Sequence, residues 1–348
     1  SVFNADAISN VDVHKGTMPA RYGGRISSVL DISLREGNRR ETKVNGGIGL
    51  ISARLTAEGP IVEDKSSFII SGRRTYIDVI TRPFVNNTSA AGSGYYFYDL
   101  NAKVNHRFSE KDEIFLSGYF GRDVFSFSSA DAGFSTSIPW GNATASLRWN
   151  HLFNDKLFLN MSATYSDYDF SFVGTQEEFS FGFNSGIEDW SYKTALSYYP
   201  SPRHRIITGV DYVFHEFMPT DYFAQSGDTP IDIGISGVTY SHESAVYIED
   251  NFDINEKIRV SAGIRYSDFR HVGPFTRYGQ DYTEPELINY EKGELVKKYG
   301  GWEPRLSMRV TTGTNSSVKA GFSENYQYVH LASLSASMRK PSQFLLVN

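Results

Sequence analysis

The chain has 348 residues, enough for one large β domain or two average ones, and its net charge of −6 argues against a nucleic-acid partner, which selects a basic face. It contains no cysteine, which excludes disulfide scaffolds, thiolate metal sites, thiol nucleophiles and cysteine-held iron–sulfur clusters. Aromatic residues reach 15%, and no apolar run approaches the ~18 residues of a membrane helix, so the chain is either soluble or a membrane β-barrel.

The first distinctive stretch, KGTMPARYGGRISSVLDI (15–32), gathers Lys15, Gly16, Arg21, Gly23, Gly24 and Arg25 around Tyr22. A phosphate loop would lead into a helix whose free N–H groups face the anion. This stretch leads into β-branched alternation, so its glycines are read as freedom at a sharp turn. GGIGLISARL (46–55) reads as strand, and ISGRRTYID (70–78) should point Arg73 and Arg74 to opposite faces.

Period two is cleanest further on. In DLNAKVNHRFS (99–109) Leu100, Ala102, Val104, His106 and Phe108 share a face against Asn101, Lys103, Asn105, Arg107 and Ser109. In NATASLRWNHLF (142–153) Ala143, Ala145, Leu147, Trp149, His151 and Phe153 oppose Asn142, Thr144, Ser146, Arg148 and Asn150. Such strands have one apolar and one polar face. The same reading fits 157–165, 208–214, 258–266 and 306–312. A soluble sandwich alternates too, but these strands run to about ten residues or more, against a usual ~5–6.

Short polar turns at 59–65, 109–113, 154–156, 200–204, 254–257 and 312–317 alternate with long segments at about 76–95, 125–138, 173–181, 218–236 and 271–300. Short turns on one side and long loops on the other is the layout of an outer-membrane barrel. Phe108, Phe153 and Trp149 near the short turns suit an interfacial girdle, and His106 and His151 share that level. About twelve antiparallel strands are expected from Gly46 to Tyr328. Arg54, Lys103, Arg107, Arg148, Lys193, Arg265, Arg309 and Lys319 would then line a hydrated lumen, because charges facing lipid cost several kcal/mol.

Catalytic and metal signals are missing. The eight histidines form no His-x-x-x-His element, and IEDNFD (248–253) lacks calcium-loop spacing. No Gly-x-Ser-x-Gly element or paired-carboxylate constellation is evident, so the chain is read as a non-enzyme without cofactor or metal. Aromatic, polar stretches at 92–99, 123–129 and 273–282 nominate Tyr95, Tyr96, Tyr98, Phe125, Phe127, Tyr278 and Tyr282 as ligand-contacting loop residues.

ISNVDVHKGTMPARYGGRISSVLDISLREG (8–37) resembles the end of the plug domain of TonB-dependent outer-membrane receptors, with Lys15-Gly16 and Tyr22-Gly23-Gly24 at the matching places. VYIEDNFDINEKIRVSAGIRYSDF (246–269) resembles a barrel hairpin of that family, ending in Gly263, Arg265 and Tyr266. GFSENYQY (321–328) resembles a later barrel strand. PARYGGRISSVLDI together with ISGRRTYID is most similar to receptors of the Bacteroidota phylum, and departs from their SusC-like glycan importers.

The resemblance implies an all-β, antiparallel transmembrane barrel of ~22 strands, of which this chain carries the first half. Residues 1–38 would be the end of a plug and 39–348 the incomplete barrel. The start at Ser1 reads as internal, and the chain is expected to be a fragment without the TonB box. Lys15, Gly16, Arg21, Tyr22, Gly23, Gly24 and Arg25 would form the plug turn; Arg21 and Arg25 are read as pairing with acids of the wall and holding the plug, with ligand contact as the alternative. The implied function is active uptake of a scarce siderophore, cobalamin, oligosaccharide or peptide across the bacterial outer membrane, energised by TonB. Implied partners are TonB, outer-membrane lipid and lipopolysaccharide, a small ligand and a surface lipoprotein. A passive porin or adhesin, or a structural barrel subunit, is the alternative.

Overall fold

The computed structural model describes residues 4–26, 28–231, 237–278 and 287–329. A 3-10 turn at Ala5–Ala7 leads into β1 (Ile8–His14), which pairs antiparallel with β2 (Val29–Leu34) in a small sheet of its own. Everything after it builds one large antiparallel sheet. Its strands are β3 (Lys43–Ile48), β4 (Ser52–Val62), β5 (Ser66–Thr75), β6 (Gly94–Arg107), β7 (Asp112–Ser129), β8 (Phe134–Asn154), β9 (Leu157–Gln176), β10 (Phe179–Ser201) and β11 (His204–Ser226). A short β12 (Thr229–Ile231) adds to β11 before β13 (Thr239–Asp253) and β14 (Ile258–Val272). A separate hairpin, β15 (Phe275–Tyr278) with β16 (Leu287–Tyr290), precedes β17 (Leu295–Gly313) and β18 (Ser316–Ser323). One helix, α1 (Ile77–Val85), lies between β5 and β6.

Apart from β12, each strand of the large sheet pairs with the next along the chain, from β3 to β18. Among the described residues β3 and β18 form its two ends and do not pair with each other. This gives thirteen consecutive neighbours where about twelve were expected. The stretch 46–55 is not one strand but a hairpin: the Gly49 N–H donates to the Ser52 carbonyl (2.8 Å), ending β3 and starting β4.

Strand length departs further from the expectation. β8 to β11 are 21, 20, 23 and 23 residues long, about twice what a tilted strand needs to cross a bilayer. The long connections expected at 125–138 and 173–181 are therefore strand, closed by tight turns at 130–133 and 177–178. The reason is local. Alternation in FSFSS (125–129) and FSFGF (179–183) continues the period of two, and strand pairing gives partners to backbone groups that a loop would leave to water. Longer connections remain at 76–93 and around β12, β15 and β16.

Which face is buried decides the solvent. On β6, Asp99 (4% exposed), Asn101 and Lys103 are buried, while Leu100 between them is 49% exposed. On β17, Glu303 has no exposure and Trp302 beside it is 60% exposed. A soluble sheet would bury the reverse set. The sheet curls its polar face around the N-terminal segment and turns its apolar face outward, the arrangement of a wall standing in lipid. Outward rings near the short turns group as expected: His106 lies edge-on to Phe108 at 4.4 Å, and His151 to Phe153 at 4.5 Å.

Candidate functional site

The sequence MPARYGG (18–24) crosses the inner wall at β11, β13, β14 and β17. Cross-strand register places Arg265 opposite Glu303, and Gly263 opposite both Glu249 and Arg305. Arg265 pairs with Asp211 at 2.8 Å and lies 3.8 Å from Glu303, which in turn holds Arg305 at 2.7 Å. Each of these charges would be costly alone in such burial; paired with the acids, the two arginines become rigid donors.

Their spare N–H groups are spent on backbone. Arg305 Nη1 donates to the carbonyls of Met18 (3.4 Å), Pro19 (2.5 Å) and Tyr22, and Arg265 Nη1 to that of Ala20 (3.4 Å). Glu249 Oε2 accepts the Arg21 N–H at 3.4 Å. Between these polar contacts Ala20, 1% exposed, packs on Ile207 and Tyr247. Three glycines make the approach feasible. A Cβ on Gly263 would stand 2.9 Å from the Ala20 Cβ, and one on Gly23 2.3 Å from Arg265 Nε. Gly24 has φ +72°, where side chains are strained, and faces Glu243.

The expected direction of the ion pairs is reversed. Arg25 Nη1 donates to the Gly24 carbonyl at 2.7 Å, and Arg21 lies over the Tyr22 ring at 4.9 Å. Among the described residues neither forms an ion pair with a wall acid; the wall's arginines grip the segment instead. A hairpin carbonyl is a fixed acceptor, whereas a side chain at a turn must first be ordered. Tyr22 donates its hydroxyl to Asp31 Oδ2 at 2.6 Å, and burial together with that bond pushes its pKa up to about 12. Lys15 and Gly16 precede the seated stretch, and Gly16 has φ +81°.

The basic residues assigned to the lumen follow the predicted parity. Arg54 reaches Asp6 (2.9 Å), Lys103 the Leu34 carbonyl (3.0 Å), and Arg148 lies over the Phe115 ring at 4.8 Å. Arg107 and Arg309 share that face by register, Arg309 exposed. Asp211, Glu249, Glu303 and Arg305 went unnoticed in the sequence. The flanking charges of Glu303-Pro304-Arg305 were the available signal, but their partners come from other strands.

The nominated ligand residues divide by face. Tyr95 shares the inner face with Asp99, donates to Asp123 Oδ1 at 2.6 Å, and stands opposite Phe125. Phe125 and Phe127 are inner-facing strand residues rather than loop residues. Tyr96 and Tyr98 stack on each other at 6.5 Å on the outer face, with Arg74 over Tyr96 and Phe120 beside Tyr98. Tyr278 ends β15, and Tyr282 lies outside the described residues. The structure adds inner rings beyond those nominated: Trp140 stacks on Tyr95 at 6.5 Å, and Phe172 on Phe183 at 5.6 Å. Among the described residues no three histidine, aspartate or glutamate side chains converge as metal ligands.

The sequence matches the family described as TonB dependent receptor-like, beta-barrel, over residues 75–338. No curated protein sequence matches it. Among solved structures, the copper transporter OprC superposes with a TM-score of 0.64 at 11% identity, covering 94% of this chain and 53% of its own. The ferric preacinetobactin receptor BauA of Acinetobacter baumannii gives 0.63 at 11% identity, with 96% and 55% covered. The alcaligin outer-membrane receptor FauA of Bordetella pertussis gives 0.63 at 12%, with 93% and 50% covered. The chain thus spans about half the length of the solved structures it matches.

Proposed function

The chain belongs to the TonB-dependent receptor β-barrel family of the bacterial outer membrane, and on that premise we propose that it supplies the first part of the barrel wall, with the end of a plug, to a receptor for active uptake. The ligand would be a siderophore, cobalamin, an oligosaccharide or a peptide, and TonB would act through a segment outside this chain. No chemical step is assigned to it.

One observation carries this reading: residues 18–24 are held inside the wall through backbone carbonyls by Arg265 and Arg305. Hydrogen bonds to backbone hold a segment firmly yet leave no covalent tie, so a pull from the periplasmic side can release them one after another. A passive pore has no need of a buried ionic seat that holds a separate segment against its inner wall.

The test uses cells carrying the full-length receptor and the four ligand classes in turn. Uptake that stops when a protonophore dissipates the inner-membrane gradient supports the proposal. Uptake unchanged by that treatment identifies a passive pore.

A further inference from the structure

The connection between β5 and β6 folds onto the outer side of the wall. Asp78 of α1 is buried and pairs with Arg74 at 3.6 Å, and Arg74 lies over the outer ring of Tyr96. Gly94 shares the outer parity of Tyr96 and Tyr98, and a Cβ there would stand 3.4 Å from the Asp78 Cβ. α1 therefore rests against the outside of the sheet, at the end opposite the short turns, which is the extracellular end of an outer-membrane wall. Tyr96 sets its level: it lies one crossing of about ten tilted residues from His106 on β6.

The side of α1 turned away from the wall is apolar. At about 3.6 residues per turn, Val79, Ile80, Pro83 and Phe84 fall opposite Asp78. All four are exposed, Phe84 at 78%. The turn between β3 and β4 adds to this surface. Register runs from Ile48 through Ala53 and Arg74 to Tyr98, which sets Ile48 on the outer face. Ile48, Leu50 and Ile51 are exposed, Leu50 at 90%. Tyr76 ties this turn to α1: its N–H donates to the Ile51 carbonyl at 2.9 Å and its hydroxyl to the Gly49 carbonyl. Soluble surfaces rarely leave so much apolar area uncovered.

Membrane lipid is the occupant that position and charge favour. Through Tyr96 and Tyr98 the patch continues the apolar outer face of the wall, at the level where headgroups meet acyl chains. Asp78 is answered by Arg74, so the exposed Arg82 leaves α1 and its partner with a positive balance, suited to an anionic surface. Pro83 offers no N–H to the Val79 carbonyl, which fits the headgroup layer, where water remains, better than hydrocarbon.

We infer that α1 and the β3–β4 turn form an interfacial anchor: Val79, Ile80, Phe84 and Leu50 enter the outer leaflet, about 5–10 Å deep, and fix the height at which this part of the wall stands. A nine-residue helix alone would be marginal in water, so its order comes from the ties of Asp78 and Tyr76 to the wall. The anchor needs the membrane and not the uptake step.

The test places a nitroxide at Ile80→Cys, Phe84→Cys or Leu50→Cys, one at a time, in the full-length receptor with any other cysteine replaced. The receptor is reconstituted in vesicles of phosphatidylethanolamine and phosphatidylglycerol, and resistance of the barrel to detergent at room temperature checks folding. Leu50→Cys reads the same surface should a helix variant not fold. Oxygen, which concentrates in lipid, should collide with these labels at least about threefold more, relative to a water-soluble nickel chelate, than with a label at Asp131→Cys in the exposed turn at 130–133. A ratio equal to that at position 131 means a wet surface and overturns the inference. Labels shielded from both reagents mean that protein covers the patch, and overturn it equally. Protonophore-insensitive uptake with oxygen-accessible labels removes the uptake proposal and leaves the anchor; protonophore-sensitive uptake with nickel-accessible labels does the reverse.

Discussion

The lower and upper parts of the same inner wall differ in burial and in what they offer a neighbour. At the seat, Arg265, Glu303 and Arg305 are almost fully buried, and the two arginines hold the N-terminal segment by directional bonds, donor to carbonyl. At the rim, Phe125, Phe181 and Tyr222 are about half exposed and offer a surface without direction. A permanent occupant can be held by charges that its own presence seals from water, since their desolvation is met once, on folding. A transient one cannot, because such charges would stand bare between visits. The lesson is that burial, more than residue type, separates the part of a charged wall that holds structure from the part left open.

The largest effect that could break this comparison is at Arg305. Arg305→Ala leaves Glu303 buried with one partner fewer and frees the Met18, Pro19 and Tyr22 carbonyls. A loss of about 3–5 kcal/mol in thermal or denaturant unfolding is expected, with faster proteolysis around residues 18–24. An unchanged transition would mean that the seat is not held by this side chain. Next comes the assignment of faces on which the comparison depends. Leu100→Arg puts a charge on the outer face and should cost about 2–4 kcal/mol in a bilayer. The same change tolerated in lipid vesicles would put Leu100 on a wet face.

A smaller effect sharpens the geometry of the seat. Gly263→Val presses on Ala20 and Glu249 and should destabilise by about 1–3 kcal/mol, chiefly through the N-terminal segment. Hydrogen exchange at Ala20 and Arg21 would report it; protection equal to the unaltered protein would show that the segment has room to move away.

Much of the wall was legible in the sequence. Alternation around Asn101 and Lys103 named the inner face correctly, and the short turns fixed the order of strands. Gly263 and Arg265 were recognisable as a family pattern, yet their purpose was not: the glycine admits Ala20 and the arginine holds its carbonyl. The rim was less legible: serine- and glycine-rich stretches such as FSFSS and FSFGF have loop-like composition, yet their alternation never stops and they are strand.

The sequence by itself determined the period, the two faces and the antiparallel order, because each is a property of residues two apart or of a turn a few residues long. Only the tertiary structure decided what those faces hold. Arg305 and Pro19 are 286 residues apart, and their contact exists because eleven wall strands and the curl of the sheet bring them together. The bulge in β11 likewise turns Tyr222 inward by a shift that the alternation of its neighbours does not encode. Local pattern sets which way a side chain points; register and curvature set what it meets there.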